Sequence, residues 1–133
     1  GTEETLPVRK KKTKRRKEEM TFYLLLCEDK VALRRRSGEG LLAGLWEFPH
    51  VSGKLEIAAA VAEVERMGLK VKSIMRQVEK KHIFTHVEWR MRGVYMEVKT
   101  QNNTFAWLKS EQIEKETALP TAFRQFWEET DYV

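Results

Sequence analysis

The segment from Lys80 to His86 places two cations, an aromatic ring, a hydroxyl and an imidazole close together in the chain. Lys80 and Lys81 are able to pair with phosphates, and the Thr85 hydroxyl can donate or accept a hydrogen bond because it rotates. The segment also has a purely structural interpretation. Phe84 then belongs to the core, His86 is a structural or surface histidine, and the two lysines form a solvated turn.

The single cysteine, Cys27, follows the apolar run Phe22–Leu26. A reactive thiol needs an electropositive and accessible setting, so this position predicts a buried, inert side chain. One cysteine cannot form a disulfide within the chain, which fits a reducing compartment.

The segment Lys80–His86 must be positioned by strands, which dominate the hydrophobic pattern. Strands are predicted at Thr21–Glu28, Val31–Arg36, Trp46–Val51, Leu69–Val78, Val87–Thr100 and Phe105–Leu108. The fifth of these alternates Val87, Trp89 and Met91 with charged residues, which predicts one buried face and one wet face. The segment Lys80–His86 would then be a loop between two strands.

Helical spacing of apolar residues predicts a helix over Leu55–Met67, closed by Gly68. A short helix is expected at Ser110–Glu114, and a last one from Thr121 through Asp131. Strands with one central helix and a closing helix indicate an α+β fold with a mixed or antiparallel sheet in a single domain.

The net charge of +5 is concentrated at the start of the chain. Residues 1–19 hold eight Lys or Arg against four Glu, a net charge of +4, and show no hydrophobic periodicity. We therefore expect 1–19 to be a basic, disordered interdomain linker and 20–133 to be the folded domain. Such a run can contact phosphates without reading sequence, and it can equally be a solvated tether.

The segment Gly40–Pro49, which reads GLLAGLWEFP, resembles the signature of the C-terminal domain of MutY-type adenine-DNA glycosylases. Leu6-Pro7-Val8 with the lysines that follow resembles the linker of that family. Ala118-Leu119-Pro120 before a helix resembles its C-terminal end. The resemblance thus covers nearly the whole chain, and it implies a Nudix-like fold, a mixed sheet flanked by helices.

In the same family a Phe-Ser-His loop contacts the oxidised guanine and its backbone, and here the triplet reads Phe84-Thr85-His86. The resemblance implies that Phe84 packs the loop or wedges near the lesion. Thr85 would hydrogen-bond the oxidised base, and His86 would contact base or phosphate. Since a hydroxyl can satisfy either guanine or 8-oxoguanine, Thr85 alone cannot account for discrimination.

Nudix hydrolases carry the box G-x5-E-x7-R-E-U-x-E-E-x-G-U, whose R-E and E-E carboxylates hold magnesium or manganese. With the final G-U on Gly68-Leu69, the R-E pair falls on Val61-Ala62 and the E-E pair on Glu65-Arg66. One of three key carboxylates remains, beside a cation. We therefore expect no metal site and no catalytic residue, with Glu63 and Glu65 facing solvent.

The resemblance implies a non-catalytic domain that recognises 8-oxoguanine in an enzyme removing the adenine mispaired with it, during base excision repair. The alternatives are a Nudix-type nucleotide pyrophosphohydrolase and a protein-interaction module. The expected partners are double-stranded DNA containing 8-oxoguanine opposite adenine, and a catalytic domain of the same polypeptide.

We expect no cofactor in this chain, because an iron–sulfur cluster needs four cysteines and would belong to an absent N-terminal domain. A monomer in the bacterial cytoplasm, associated with the nucleoid, is expected. A membrane partner is not, because the longest apolar run is far shorter than the ~18 residues of a membrane span.

Overall fold

The computed structural model describes residues 15–127 of the chain. The strands are β1 (Arg16–Cys27), β2 (Lys30–Arg35), β3 (Trp46–Glu47), β4 (His50–Ser52), β5 (Val71–Ile83), β6 (Val87–Val98) and β7 (Ala106–Lys109). The helices are α1 (Ile57–Arg66), α2 (Ser110–Glu116) and α3 (Thr121–Trp127). The architecture is α+β, as predicted.

The seven strands form one mixed sheet in the order β3-β2-β1-β6-β5, with β4 paired to β1 and β7 to β2. The central pair, β1 and β6, is parallel, while β5 runs antiparallel to β6. β1 and β2 are joined as an antiparallel hairpin, with Leu26 opposite Val31. β1 and β6 read as long apolar runs in their second halves because both of their faces are covered there.

Alternate residues of the central strands supply two cores, one on each face of the sheet. On the side called here the α3 face, Phe22, Trp89 and Met91 pack with residues of α2 and α3, among them Phe123 and Phe126. On the opposite side, the α1 face, Tyr23, Val94 and Met96 pack against Ala60 and Val64 of α1. Beyond α1, this second face continues along β6 through Glu88, Arg90 and Arg92.

α1 covers the predicted helix except for Leu55 and Glu56 at its start and Met67 at its end. Gly68, expected to end it, has φ of +93°, a left-handed conformation that glycine adopts readily. At the start, the buried Thr21 hydroxyl accepts a hydrogen bond from the Leu55 N–H (2.9 Å) and donates one to the Gly53 carbonyl (2.7 Å). Thr21 thus ties the loop before α1 to the centre of the sheet.

Three predicted strands need correction, while the other boundaries within residues 15–127 shift by at most two residues. β1 begins at Arg16, so Arg16–Glu19 belong to a strand and not to the disordered linker, because they pair with β6 from Val87 onward. β5 runs to Ile83 instead of ending at Val78. The extended stretch at Trp46–Val51 is divided into β3 and β4 around Phe48 and Pro49.

The last predicted helix begins at Thr121 as expected. Its predicted end, Asp131, lies outside the described residues, as do residues 1–14 of the predicted linker. No helix within 15–127 has the length and apolar character needed to cross a bilayer.

Candidate functional site

Phe84, Thr85 and His86 form the turn that joins β5 to β6. The Phe84 N–H donates a hydrogen bond to the Val87 carbonyl (2.7 Å), which closes the turn. From the neighbouring strand, the Arg16 N–H donates to the His86 carbonyl (3.1 Å). The turn is therefore fixed by its own hairpin and by the first residue of β1.

The Phe84 ring is half-buried and lies between two other rings on the α3 face. Its centroid is 4.8 Å from that of His82 and 4.9 Å from that of Trp89, in edge-to-face arrangements that aromatic pairs favour. Of the two roles that the resemblance implies for Phe84, the structure supports packing of the loop.

Thr85 and His86 are both exposed at the tip of the turn. A rotatable hydroxyl and an imidazole can each donate or accept a hydrogen bond. The packed Phe84 ring and the two backbone hydrogen bonds hold these side chains on a fixed backbone, which lowers the conformational entropy lost on binding a ligand.

Lys80 and Lys81 lie within β5, not in a loop flanking the turn as the sequence predicted. Successive strand residues point to opposite faces. Lys81 lies opposite Arg90 on the α1 face, while Lys80 lies opposite Met91 on the α3 face. The two side chains therefore leave β5 on opposite faces, although both residues line one depression of about 300 Å³ beside Glu79 and Glu88.

The signature segment Gly40–Pro49 leads into a buried carboxylate. Glu47, 3% exposed, contacts Arg34 Nε (2.9 Å), Arg36 Nη1 (2.7 Å) and His50 Nδ1 (3.1 Å). Burial raises the pKa of Glu47, but the hydrogen bonds and charges of His50 and Arg34 outweigh it and hold that pKa below its usual value. Glu47 is thus ionised and internally paired, which suits a structural centre better than an acid catalyst.

Arg36 joins this centre to the turn. Its Nε donates to the Leu41 carbonyl (3.0 Å), and its guanidinium carbon lies 5.1 Å from the centroid of the Trp89 ring. Because Trp89 also contacts Phe84, a chain of contacts runs from Glu47 through Arg36 and Trp89 to the turn. The signature segment and the triplet, far apart in sequence, are therefore parts of one packed unit.

Sequence reasoning predicted that Trp89 is buried but missed its partners. Arg34 and Arg36 are bound to Glu47, and Arg35 donates to the Gly44 carbonyl (3.0 Å), so each of these three consecutive arginines has a partner within the chain. The clue available in the sequence was the one acid, Glu47, in an otherwise apolar segment that follows three arginines.

The α1 positions that would carry the Nudix box carboxylates do not fit a divalent metal. Val61 and Ala62 supply no ligand, Glu65 is exposed, and Arg66 pairs instead with Glu63 (2.9 Å). Within residues 15–127 no three His, Cys, Asp or Glu side chains come together as a possible metal site. Only four residues, 53–56, join β4 to α1.

Against known proteins, a family model described as NUDIX domain matches residues 20–129. Among solved structures, the C-terminal domain of mouse MUTYH, crystallised in complex with human PCNA, is similar with a TM-score of 0.59 and 23% identity. That match covers 85% of this chain and 86% of the other.

Hydrolases of the same fold are similar as well. A MutT NUDIX hydrolase from Burkholderia pseudomallei gives a TM-score of 0.65 at 15% identity, covering 86% of this chain and 98% of the other. The MutT protein of Methanosarcina mazei Go1 gives 0.59 at 21% identity, covering 89% and 95%. Similarity at these identities demonstrates a shared fold and leaves the activity to be argued from the residues.

Proposed function

We propose that this chain, which belongs to the NUDIX domain family, is a non-catalytic lesion-recognition domain of an adenine-DNA glycosylase. Its ligand is double-stranded DNA containing 8-oxoguanine opposite adenine. The adenine is removed by a catalytic domain of the same polypeptide, which also holds the iron–sulfur cluster. In this proposal the chain contributes binding and lesion selectivity and carries out no bond cleavage.

The observation that carries the proposal is the presentation of Thr85 and His86. Both are exposed on a turn whose Phe84 ring is packed against Trp89 and whose backbone is held by β1. Sites that read a base need hydrogen-bonding groups on a rigid support, so that their geometry is set before the ligand arrives. The Phe84-Thr85-His86 triplet has this arrangement.

8-Oxoguanine carries an N–H at position 7, where guanine offers an acceptor. Thr85 Oγ1 can accept from that N–H, and a hydroxyl in its other rotamer could serve guanine. Selectivity therefore requires a second group with fixed polarity near Thr85. The carbonyl groups of the turn and the neighbouring catalytic domain are the proposed sources.

The GLLAGLWEFP segment and the similarity to the MUTYH C-terminal domain support this assignment over nucleotide hydrolysis. The hydrolase alternative depends on a metal-bound water, and α1 offers Val61 and Ala62 where its ligands would stand. Incubating the chain with magnesium or manganese and a panel of nucleoside diphosphate derivatives should therefore yield no turnover. Metal-dependent release of a nucleoside monophosphate would support the hydrolase.

The interaction-module alternative has one observation in its favour, since the similar mouse domain was solved with PCNA bound. Salt-sensitive binding to DNA by this chain would favour lesion recognition. Binding to a protein partner that DNA does not affect would favour the interaction module.

The direct test compares the proposed parent glycosylase with a version lacking this chain. Single-turnover adenine release is measured on duplexes with adenine opposite 8-oxoguanine or opposite guanine. The expected result is that removing the chain lowers the preference for the 8-oxoguanine duplex. An unchanged preference, or a gene in which no glycosylase domain precedes this chain, would contradict the proposal.

A further inference from the structure

A group of cations lies beside the turn, on the α1 face and thus on the side of the sheet away from Phe84. Lys17 of β1 lies opposite Glu88 of β6, and Lys81 of β5 lies opposite Arg90. Because paired residues on neighbouring strands point to the same face, all four side chains share one surface. We call Lys17, Lys81 and Arg90 the cation patch.

The cation patch is organised around one buried carboxylate. Arg90 Nε lies 2.8 Å from Glu88 Oε2, and the Glu88 side chain is only 8% exposed. The hydrogen bond from Arg90, opposed by burial and joined by the charges of Arg90, Lys81 and Lys17, lowers the pKa of Glu88. Three cations thus converge on a single anion, which leaves two positive charges uncompensated within the group.

The charged residues around the cation patch do not cancel its excess of positive charge. Toward α1, Glu79 is paired with Lys54 (2.9 Å) and Arg92 (2.7 Å), so two cations share one carboxylate there as well. Glu19 lies beside Arg90 on β1. Four cations and two carboxylates, a net charge of +2, line a depression of about 300 Å³ on this surface: Lys54, Lys80, Lys81 and Arg90 with Glu79 and Glu88.

We propose that Lys17, Lys81 and Arg90 bind the phosphodiester backbone of a DNA duplex next to the base held by the turn. The inference builds on the proposed function and adds to it a second, sequence-independent contact. Glu88 lies two residues after His86, so both surfaces meet the same stretch of DNA. The aromatic rings beside the turn, Phe84 and Trp89, are on the α3 face. The cation patch therefore contacts phosphates and does not stack on bases.

The orientation of β1 strengthens this assignment. The parallel pairing of β1 with β6 brings Arg16 and Lys17 beside Val87 and Glu88, directly after the turn. In sequence, these residues continue the basic run that starts at Arg9. A phosphate contact at Lys17 would therefore place the end of that basic run on the DNA backbone.

The test measures binding of the 133-residue chain to an undamaged duplex by fluorescence anisotropy, from about 50 to 200 mM salt. Lys17→Ala and Lys81→Ala should each weaken binding about three- to tenfold at the lower salt, and each should reduce the salt slope by about one. Glu88→Gln should tighten binding, because phosphate no longer competes with a carboxylate for these cations.

Lys99→Ala is the matched control, since it removes the same charge from the far end of the sheet, about 30 Å from Arg90 at ~3.3 Å per residue. It should change affinity less than twofold. The proposal would be overturned if Lys99→Ala weakened DNA binding as much as the patch variants do, or if Lys81→Ala left the affinity unchanged. It would also be overturned if the unaltered chain did not bind DNA at low salt. Urea midpoints verify that each variant is folded.

Undamaged DNA separates this inference from the proposed function. If the patch variants bind normally while the parent enzyme still prefers 8-oxoguanine, the cation patch is wrong and lesion recognition stands. If the patch variants weaken binding while removal of the chain leaves lesion preference unchanged, the chain binds DNA backbone without recognising the lesion.

Discussion

The ring of Phe84 packs edge-on against Trp89, with their centroids 4.9 Å apart and their planes at 71°. Trp89 in turn donates from Nε1 to Glu18 Oε1 (3.2 Å) at the start of β1. Trp89, fixed by Glu18, thus supports Phe84 on the α3 face, and the exposed side chains of the turn are those of Thr85 and His86. The backbone of the turn is therefore held in place while two polar side chains remain exposed.

Replacing Phe84 with alanine should destabilise the chain by about 1–3 kcal/mol, less than a fully buried phenylalanine would cost, because the ring is half-buried. Phe84→Leu should recover part of this loss by refilling the space beside Trp89. Urea unfolding measures both. Ile83→Ala, at a neighbour that is 46% exposed, is the control and should stay within about 0.5 kcal/mol. Equal effects at both positions would contradict the anchoring role.

Two fully buried tyrosines should respond oppositely to loss of their hydroxyls. Tyr95 Oη donates to the Phe126 carbonyl (2.6 Å), whereas Tyr23 Oη, among the described residues, has no hydrogen-bond partner. Burial, then the charge of Glu63, raises the pKa of Tyr23 to about 12.

Tyr95→Phe should therefore cost about 1–2 kcal/mol, because it leaves a buried carbonyl without its donor. Tyr23→Phe should be neutral or stabilising by up to about 1 kcal/mol, since it removes an unsatisfied polar group. Thermal or urea unfolding of the two variants side by side gives the comparison. A larger loss for Tyr23→Phe than for Tyr95→Phe would refute this account of the two cores.

Gly93 allows the closing helix to approach the sheet. A Cβ added there would lie 2.6 Å from two ring carbons of Phe126, which is fully buried. Gly93→Ala should destabilise by about 1–3 kcal/mol through overpacking. Gly38→Ala, where no heavy atom lies within 4 Å, is the matched control and should be nearly neutral. A neutral Gly93→Ala would show that α3 can move away from β6 without cost.

Glu47 should make stability depend on pH. Its pKa is lowered in the folded state, so its stabilisation is complete above the unfolded-state value of about 4.3 and is lost as the pH falls through the folded value. Glu47→Gln should cost about 2–3 kcal/mol at pH 7, less than for fully buried pairs because the Arg34 side chain is 35% exposed.

The measurement is urea unfolding of the native chain and Glu47→Gln between pH 7 and pH 3. Since glutamine resembles the protonated carboxyl, the difference in unfolding free energy between the native chain and Glu47→Gln should shrink as the pH falls. Glu39→Gln on the exposed loop should show little effect at any pH. A Glu47→Gln deficit that is constant with pH would rule out the ionised pair.

Patterns with one strong physical cause were predictable from sequence. The β1–β2 hairpin follows from apolar runs around Asp29-Lys30, α1 from its apolar spacing, and its end from Gly68. The burial of Trp89 follows from strict alternation along β6. In each case local chemistry and tertiary structure favour the same outcome.

The extent of β5 was missed because it is an edge strand with polar residues on both faces. Lys80, Lys81 and His82 give no alternation of apolar and polar residues, although they pair regularly with β6. The start of β1 was missed for a related reason, since Arg16–Glu19 form a strand only because β6 lies beside them. Such strands depend on a neighbour and not on their own hydrophobicity.

The contacts of the candidate site depended on the fold. Thr85 and His86 could be singled out from the triplet alone, but the support under them could not. The Glu47–Arg36 ion pair and the Arg36–Trp89 cation–π contact join β3 and β6 to the residue that follows β2, and no sequence spacing encodes their meeting. That Lys80 and Lys81 leave opposite faces of β5 followed only once both were placed in a strand.

The central claim is best tested with the double variant Thr85→Ala, His86→Ala in the proposed parent glycosylase. Both side chains are exposed, so stability should change by less than about 1 kcal/mol. The affinity ratio between duplexes with adenine opposite 8-oxoguanine and adenine opposite guanine is measured by anisotropy, with Lys99→Ala as the control. The account predicts that the ratio falls about tenfold, equivalent to ~1.4 kcal/mol, in the double variant alone. A folded double variant that keeps the full preference would contradict it.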